Sequence, residues 1–134
     1  MADSTDPIAV LQVCGAITTW IGNNVAYCVY ELDKETMLPV SRRTYYFEVD
    51  DANTTGTPDW KLLTDWTEHY GMVDLSPKSF KTMSEKLHSD EAFTTDFINR
   101  KDKVFGRHTS CDDNCRRQAY CEATYIDPYA YAQC

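Results

Sequence analysis

The end of the sequence is rich in cysteine, and this feature constrains the fold more than any other. Cys111, Cys115, Cys121 and the final residue, Cys134, are separated by gaps of three, five and twelve residues. Cytosolic thiols are kept reduced, so closely spaced cysteines are typical of proteins from an oxidising compartment. Zinc sites usually combine cysteine pairs about two to four residues apart, often with histidine, whereas only Cys111 and Cys115 are that close here and the nearest histidine is His108. The spacing therefore favours two disulfide bonds over a four-cysteine zinc site.

Length and charge narrow the class of protein further. The chain has 134 residues and a formal net charge of -8, which suits about one acidic domain. An acidic balance argues against nonspecific nucleic-acid binding, because that binding needs Lys and Arg to neutralise phosphates. We expect no nucleic-acid partner. Short basic clusters such as Arg42-Arg43 are interpreted as solvated faces.

The first residues offer neither a membrane span nor an export signal. The most apolar run, residues 8–21, is interrupted by Gln12 and Thr18 and is too short to cross a bilayer. The residues before it are acidic, whereas a signal peptide begins with basic residues. We expect no transmembrane segment and no signal peptide in this chain. Because the cysteine-rich end nevertheless indicates an oxidising compartment, we expect the chain to be a piece of a longer protein.

Hydrophobic periodicity predicts strands first and helices afterwards. Apolar and aromatic residues mark three predicted strands, at residues 8–13, 26–32 and 44–49. A helix is predicted over residues 57–71, since Trp60, Leu63, Trp66 and Tyr70 follow near helical spacing. Three more helices are predicted to begin at Ser76, at Ser89 or Asp90, and at Ser110 with Asp113 as a capping box. The fold class is therefore α+β, with residues 1–50 forming strands and residues 51–134 a helical lobe.

The residues alone predict no active site. His69, His88 and His108 form no metal-ligand pattern, and no nucleophile elbow or phosphate-binding glycine loop is present. We predict no catalytic and no metal-binding residues. Asn53-Thr54-Thr55 is an N-glycosylation sequon in a predicted polar loop before the helix that starts at Thr57, so glycosylation at Asn53 is expected if the chain is exported.

Several runs of the sequence resemble the C-terminal region of acid sphingomyelinase and the acid sphingomyelinase-like phosphodiesterases. The cysteine gaps match that family, and so do three groups of short motifs. The matching motifs are Asp51-Ala52-Asn53 with Pro58-Asp59-Trp60-Lys61-Leu62-Leu63 and Glu68-His69-Tyr70-Gly71; Pro7-Ile8-Ala9-Val10 with Thr18-Thr19-Trp20; and Tyr27-Cys28-Val29-Tyr30. The resemblance extends from about Pro7 to Cys134.

The resemblance implies the end of a zinc-dependent phosphodiesterase. Its upstream catalytic domain, a metallophosphoesterase, would be the partner of this chain and would hold two zinc ions. It would hydrolyse sphingomyelin or a related phosphodiester, in lysosomes or outside cells. The family's metal-ligand motifs are absent here, which implies that they lie upstream and that this chain covers the catalytic domain and shapes its cleft. The resemblance also implies that the strands of residues 1–50 are the terminal strands of the catalytic-domain sheet. Loop spacing and the family pattern together predict the bonds Cys111–Cys115 and Cys121–Cys134.

Two questions stay open at this stage. Cys14 and Cys28 are not cysteines of the family pattern, and they flank a predicted hairpin either as a third disulfide or as buried free thiols. A second functional hypothesis is a stand-alone secreted module, stabilised by disulfides, that binds lipid or protein through apolar helix faces.

Overall fold

The computed structural model describes residues 7–134, with the side chain of Ile21 left out of the description. A short 3-10 turn at Trp20–Gly22 precedes a mixed series of strands and helices. In chain order they are β1 (Ala26–Leu32), β2 (Pro39–Tyr46), α1 (Val49–Thr55), β3 (Lys61–Asp65), α2 (Trp66–Tyr70), α3 (Pro77–Ser89), α4 (Glu91–Asp102), α5 (Asp113–Thr124) and α6 (Pro128–Gln133). The α+β fold class is confirmed.

The three strands form one antiparallel sheet in the order β1-β2-β3. β1 follows the predicted bounds and pairs with β2, so that Ala26 lies opposite Tyr46 and Glu31 opposite Ser41. The predicted strand at residues 44–49 is only partly right. β2 begins at Pro39, and Val49 already belongs to α1. The early part of β2 was missed because the polar Arg42 and Arg43 hid the apolar alternation on which the prediction relied.

The two faces of the sheet differ. Because side chains alternate along a strand, neighbours across the sheet share a face. The inner face includes Ala26, Cys28, Arg42 and Thr44, and it lies under Trp66, whose Nε1 donates to Thr44 Oγ1 at 3.4 Å. The opposite side, which we call the outer sheet face, carries Tyr27, Val29, Tyr45 and Leu62.

The predicted strand at residues 8–13 is wrong, because this segment joins no sheet in the described part of the chain. Just after it, one backbone hydrogen bond reaches β1, from the Ala26 N–H to the Ala16 carbonyl at 3.2 Å. A strand needs a partner for its backbone groups, and apolar composition alone does not supply one. The segment leaves apolar side chains in solvent, including Ile8, which is 96% exposed.

The predicted helix at residues 57–71 is also wrong in its first half. Lys61–Asp65 forms β3, which pairs with β2, and only Trp66–Tyr70 is helical. Pairing along the edge of β2 outweighed the helical spacing of the aromatic residues, since tertiary contacts override local pattern. Gly71 does end the helix, in a left-handed conformation with φ 62°.

The later helices follow their predicted starts more closely. Ser76 caps α3 by accepting from Ser79 N–H, and Asp90 rather than Ser89 caps α4 by accepting from Phe93 N–H. α5 begins at Asp113, but its cap is Asp112 and not the predicted Ser110. A carboxylate one residue before the helix accepts from the Cys115 N–H at 2.9 Å, so the capping box is not used.

The main core lies between α2 and the long helices. It combines buried side chains from α2, the loop after it and α3: Tyr70, Met72, Leu75, Met83 and Leu87. One smaller cluster of buried side chains lies on the sheet, and another lies around α5. β3 begins after residue 50, yet it pairs with β2 and completes the sheet. The division of the chain into residues 1–50 and residues 51–134 stays a prediction. Among the described helices, none is long and apolar enough to cross a membrane.

Candidate functional site

Both predicted tail disulfides are present. Cys111–Cys115 spans the start of α5 with Cα atoms 5.2 Å apart, and Cys121–Cys134 joins α5 to the end of α6. Cys111 and Cys121 are buried, so each bond connects the core to a more exposed partner. The two bonds hold the end of the chain against the rest of the lobe.

A third disulfide resolves the open question about Cys14 and Cys28. The two residues are bonded, and their Cα atoms lie 5.9 Å apart. The bond ties segment 7–16 to β1 across the inner face of the sheet. The approach is close, since a Cβ added at Gly15 would lie 2.7 Å from the Cβ of Ala26. All six cysteines are therefore bonded, and none is available as a thiolate ligand.

The histidines are paired with neighbours that need no metal. His69 Nε2 lies 2.6 Å from Asp96 Oδ2, and His108 Nε2 lies 3.0 Å from Asp102 Oδ2. The His88 ring meets the Tyr120 ring edge-on. Although burial opposes it, hydrogen bonds from Arg100 and His69 leave the pKa of Asp96 below its ordinary value. Residues 7–134 contain no group of three or more His, Cys, Asp or Glu that could hold a metal ion.

A large cavity lies between segment 7–16, the inner sheet face and α3. Its volume is about 1060 Å³. Apolar and aromatic side chains from each wall line it, among them Leu11, Leu63, Trp66, Phe80 and Met83. A pocket of this size and composition is typical of small-molecule binding sites, in which a few polar groups fix the orientation of the ligand.

Arg42 is the most unusual residue in the wall of this cavity. It is only 4% exposed, whereas the sequence interpretation placed it on a solvated face. Its guanidinium lies over the Trp66 ring, 4.1 Å from the centroid, and Nη2 donates to the Val13 carbonyl at 2.7 Å. Burial lowers the pKa of Arg42 from its ordinary value. The burial of Arg42 could be recognised only from the register of β2, which places this residue on the inner face.

The outer sheet face is a second candidate, as an apolar surface. Tyr27 stacks on Tyr45 with centroids 5.3 Å apart, and the Trp60 ring meets both Tyr27 and Phe47 edge-on. Leu62 on the same face is 52% exposed. Neighbouring aromatic rings that stay partly in solvent are typical of surfaces that contact another protein.

The predicted glycosylation residue has an accessible position. Asn53 is exposed, but the predicted loop is wrong, because Asn53 belongs to α1, a helix that buries none of its residues. Gly56 ends this helix two residues beyond Thr54 with φ 74°. The structure leaves room for a glycan at Asn53, and the modification itself stays a prediction.

Comparison with known proteins identifies the family. The family described as the acid sphingomyelin phosphodiesterase C-terminal region matches residues 7–134. The human acid sphingomyelinase-like phosphodiesterase 3b is 28% identical over 98% of this chain, which corresponds to 31% of that protein. Sphingomyelin phosphodiesterase 1 of Caenorhabditis elegans is 31% identical over 88% of this chain and 21% of its own length. A cyclic GMP-AMP phosphodiesterase of Rattus norvegicus is 28% identical over 96% of this chain and 31% of its own length.

The matches cover nearly all of this chain but only a part of each relative. The chain spans less than a third of the length of the curated relatives named above. The family match, in contrast, covers every residue that the structure describes, including all six cysteines. The chain therefore belongs to the acid sphingomyelin phosphodiesterase C-terminal family.

Proposed function

We propose that this chain serves as the C-terminal domain of a sphingomyelin phosphodiesterase-like hydrolase, and that it docks against an upstream metallophosphoesterase catalytic domain. The observation that carries the proposal is the uncovered apolar outer sheet face, where Tyr27, Val29 and Leu62 stay partly in solvent. A domain that works alone rarely leaves so many large apolar side chains in solvent. The role of the domain is structural, since it covers the catalytic domain and shapes one wall of its cleft.

The chemistry of the parent reaction is assigned to residues outside this chain. With every cysteine bonded and each histidine paired with a carboxylate or a ring, the described residues offer no donor set for the two zinc ions that the resemblance implies. Metal ions of that kind activate water and neutralise charge on the phosphodiester. The substrate is sphingomyelin or a related phosphodiester, in keeping with the differing substrates in the names of the relatives.

Location and modification belong to the same proposal. Three disulfides suit a secreted or lysosomal parent protein. Asn53 carries an N-linked glycan when the protein passes through that route. A mass shift at the peptide containing Asn53, after N-glycosidase treatment of protein secreted by eukaryotic cells, tests the modification.

A chimeric enzyme tests the docking role. The matching region of the human acid sphingomyelinase-like phosphodiesterase 3b is replaced by residues 7–134 of this chain, and secretion and hydrolysis of a nitrophenyl phosphodiester are measured. Leu62→Ser on the outer sheet face is compared with Val73→Ser, because Val73 is an apolar residue that is 93% exposed on a loop elsewhere. The isolated chain is measured in parallel for bound zinc and for hydrolysis.

The proposal expects an active, secreted chimera that loses most of its secretion or activity with Leu62→Ser and little with Val73→Ser. The isolated chain is expected to bind no stoichiometric zinc and to show no hydrolysis above a blank. Equal effects of the two substitutions would count against docking through the outer sheet face. Metal-dependent turnover by the isolated chain that survives repurification would overturn the structural role.

The second candidate function is a stand-alone secreted module that binds lipid or protein. The cavity beside Arg42 favours it, because a space of about 1060 Å³ with apolar walls can hold a ligand of its own. The genomic sequence upstream of the coding region discriminates the two. An in-frame Gly-His-x-His motif supports the enzyme domain, and a signal peptide directly before Pro7 supports the module.

A further inference from the structure

The cavity contains a buried cation with no acidic partner in the described part of the chain. No ion pair among residues 7–134 involves Arg42. Its neighbour Arg43, in contrast, lies on the other side of the sheet and pairs with Glu31 and Asp65. Burying a charge without a counterion is costly, so such a residue calls for an explanation.

The contacts of Arg42 hold its guanidinium in place without using all of its donors. The rings of Trp66 and Tyr30 lie 4.1 and 5.7 Å from it, and Nη2 donates to Val13 and, at 3.8 Å, to Cys28 Sγ. Nε is buried and has no hydrogen-bond partner within residues 7–134. A rigid guanidinium with an unused donor matches the geometry of a carboxylate or phosphate oxygen.

The remaining walls suit an alkyl chain beside that charge. Leu11, Trp66, Phe80 and Met83 provide apolar surface from three sides of the cavity. Two of the cations along the lining are already paired, Lys101 with Glu122 at 2.8 Å and Arg100 with Asp96 at 2.9 Å. The cavity therefore combines an apolar volume with one buried guanidinium, that of Arg42, which has no acidic partner among the described residues.

We propose that the cavity binds a single-chain amphiphile with an anionic head, whose carboxylate or phosphate accepts from Arg42 while its alkyl chain lies between segment 7–16 and α3. This inference rests on the second candidate function, lipid binding by this domain, and is independent of docking through the outer sheet face. Carboxylate and phosphate heads share the chemistry that a guanidinium recognises, so both are tested.

Titration calorimetry on the full 134-residue chain compares four ligands of equal chain length, each kept below its micelle concentration or, for the alcohol, below its solubility limit. Decanoate and decyl phosphate are the anionic probes, and decanol and decyltrimethylammonium are the neutral and cationic ones. We expect saturable one-to-one binding of at least one anion, about tenfold or more tighter than decanol, since a charge-assisted hydrogen bond has that effect. Octanoate should bind about fifteenfold more weakly than decanoate, because two buried CH₂ groups are lost.

The variant Arg42→Met assigns the charge recognition to one residue. It should bring the affinity for decanoate down to that for decanol and leave decanol binding unchanged. Arg43→Met is the matched control, because Arg43 neighbours Arg42 in β2 but does not line the cavity, and its anion binding should equal that of the unaltered chain. Thermal unfolding of each variant verifies folding, and the comparison of four heads on the unaltered chain needs no variant at all.

The possible outcomes of these titrations test different parts of the proposal. Equal binding of anion, alcohol and cation would overturn the role of Arg42 while leaving a lipid-binding module in place. Absence of binding by all four probes would overturn both the inference and lipid binding as the second candidate function, and would leave only its protein-binding form. Loss of anion binding with Arg43→Met as well as with Arg42→Met would also contradict the assignment. Preference for an anion, abolished by Arg42→Met alone, supports it.

Discussion

Asp65 connects three elements through one carboxylate. Its Oδ2 accepts from Arg43 Nε at 2.9 Å, and its Oδ1 accepts from Thr67 Oγ1 at 2.9 Å and from the Glu68 N–H at 3.4 Å. Burial alone would raise its pKa, but these hydrogen bonds leave the pKa of Asp65 below its ordinary value of 3.8. The charged form is therefore favoured by folding, and this residue links β2 and β3 to the start of α2.

The pH dependence of stability tests this role. A carboxyl whose pKa is lowered on folding stabilises the protein fully above its unfolded pKa, and the contribution is lost as the pH falls through the folded pKa. Asp65→Asn keeps a helix cap but loses the charge, so we expect a loss of about 1 kcal/mol at neutral pH. The difference from the unaltered chain should shrink below about pH 4. Urea unfolding at several pH values measures it.

The control is Asp59→Asn, because the Asp59 side chain is largely exposed and pairs only with Lys61 at 3.4 Å. An exposed pair of this kind contributes little. A difference for Asp65→Asn that persists unchanged at acidic pH would show that the charge is not responsible.

At the scale of elements, α6 depends on its disulfide more than the other helices do. It has six residues and buries none of them, and isolated helices of this length are unstable in water. Cys121–Cys134 spans a sequence separation of 13 residues, whereas Cys111–Cys115 spans only 4. Closing the longer loop restricts the unfolded chain more strongly.

The two tail bonds are therefore predicted to differ in their effect on stability. Replacing Cys121 and Cys134 together by Ala should lower the free energy of unfolding by about 3 kcal/mol, and replacing Cys111 and Cys115 together by about 2 kcal/mol. Guanidinium unfolding of the two double variants measures both values. A larger loss from the Cys111 and Cys115 pair would contradict the loop-length explanation.

The elements that could be predicted from the sequence are those with local signals. Ser76 and Asp90 cap their helices as expected, because a cap acts within three residues of itself. β3 and segment 8–13 were misassigned, since their state depends on whether a partner strand lies beside them. The same holds for Arg42, whose burial follows from the register of β2 and from the position of Trp66. The tail disulfides could be predicted because spacing and family resemblance agreed.

At the scale of the whole molecule, the helical lobe is well covered and the sheet is not. The lobe buries its apolar faces in the core around Leu87 and is closed by two disulfides. The outer sheet face is uncovered, and segment 7–16, which lies over the inner face, also leaves large apolar side chains in solvent. This asymmetry is the basis for the proposed docking on a catalytic domain, and it predicts that the isolated chain associates through its sheet half.

Oxidative footprinting is the most direct test of docking through the outer sheet face. Tyr27 and Trp60 mark the outer sheet face and its rim, and Tyr129, which is 76% exposed on α6, serves as the internal reference. Hydroxyl-radical labelling is compared between the isolated monomeric chain and the active chimera with the upstream domain. If the outer sheet face docks on the upstream domain, labelling of Tyr27 and Trp60 falls several-fold in the chimera while that of Tyr129 is unchanged. Equal labelling of Tyr27 and Trp60 in the chain and in an active chimera would contradict it.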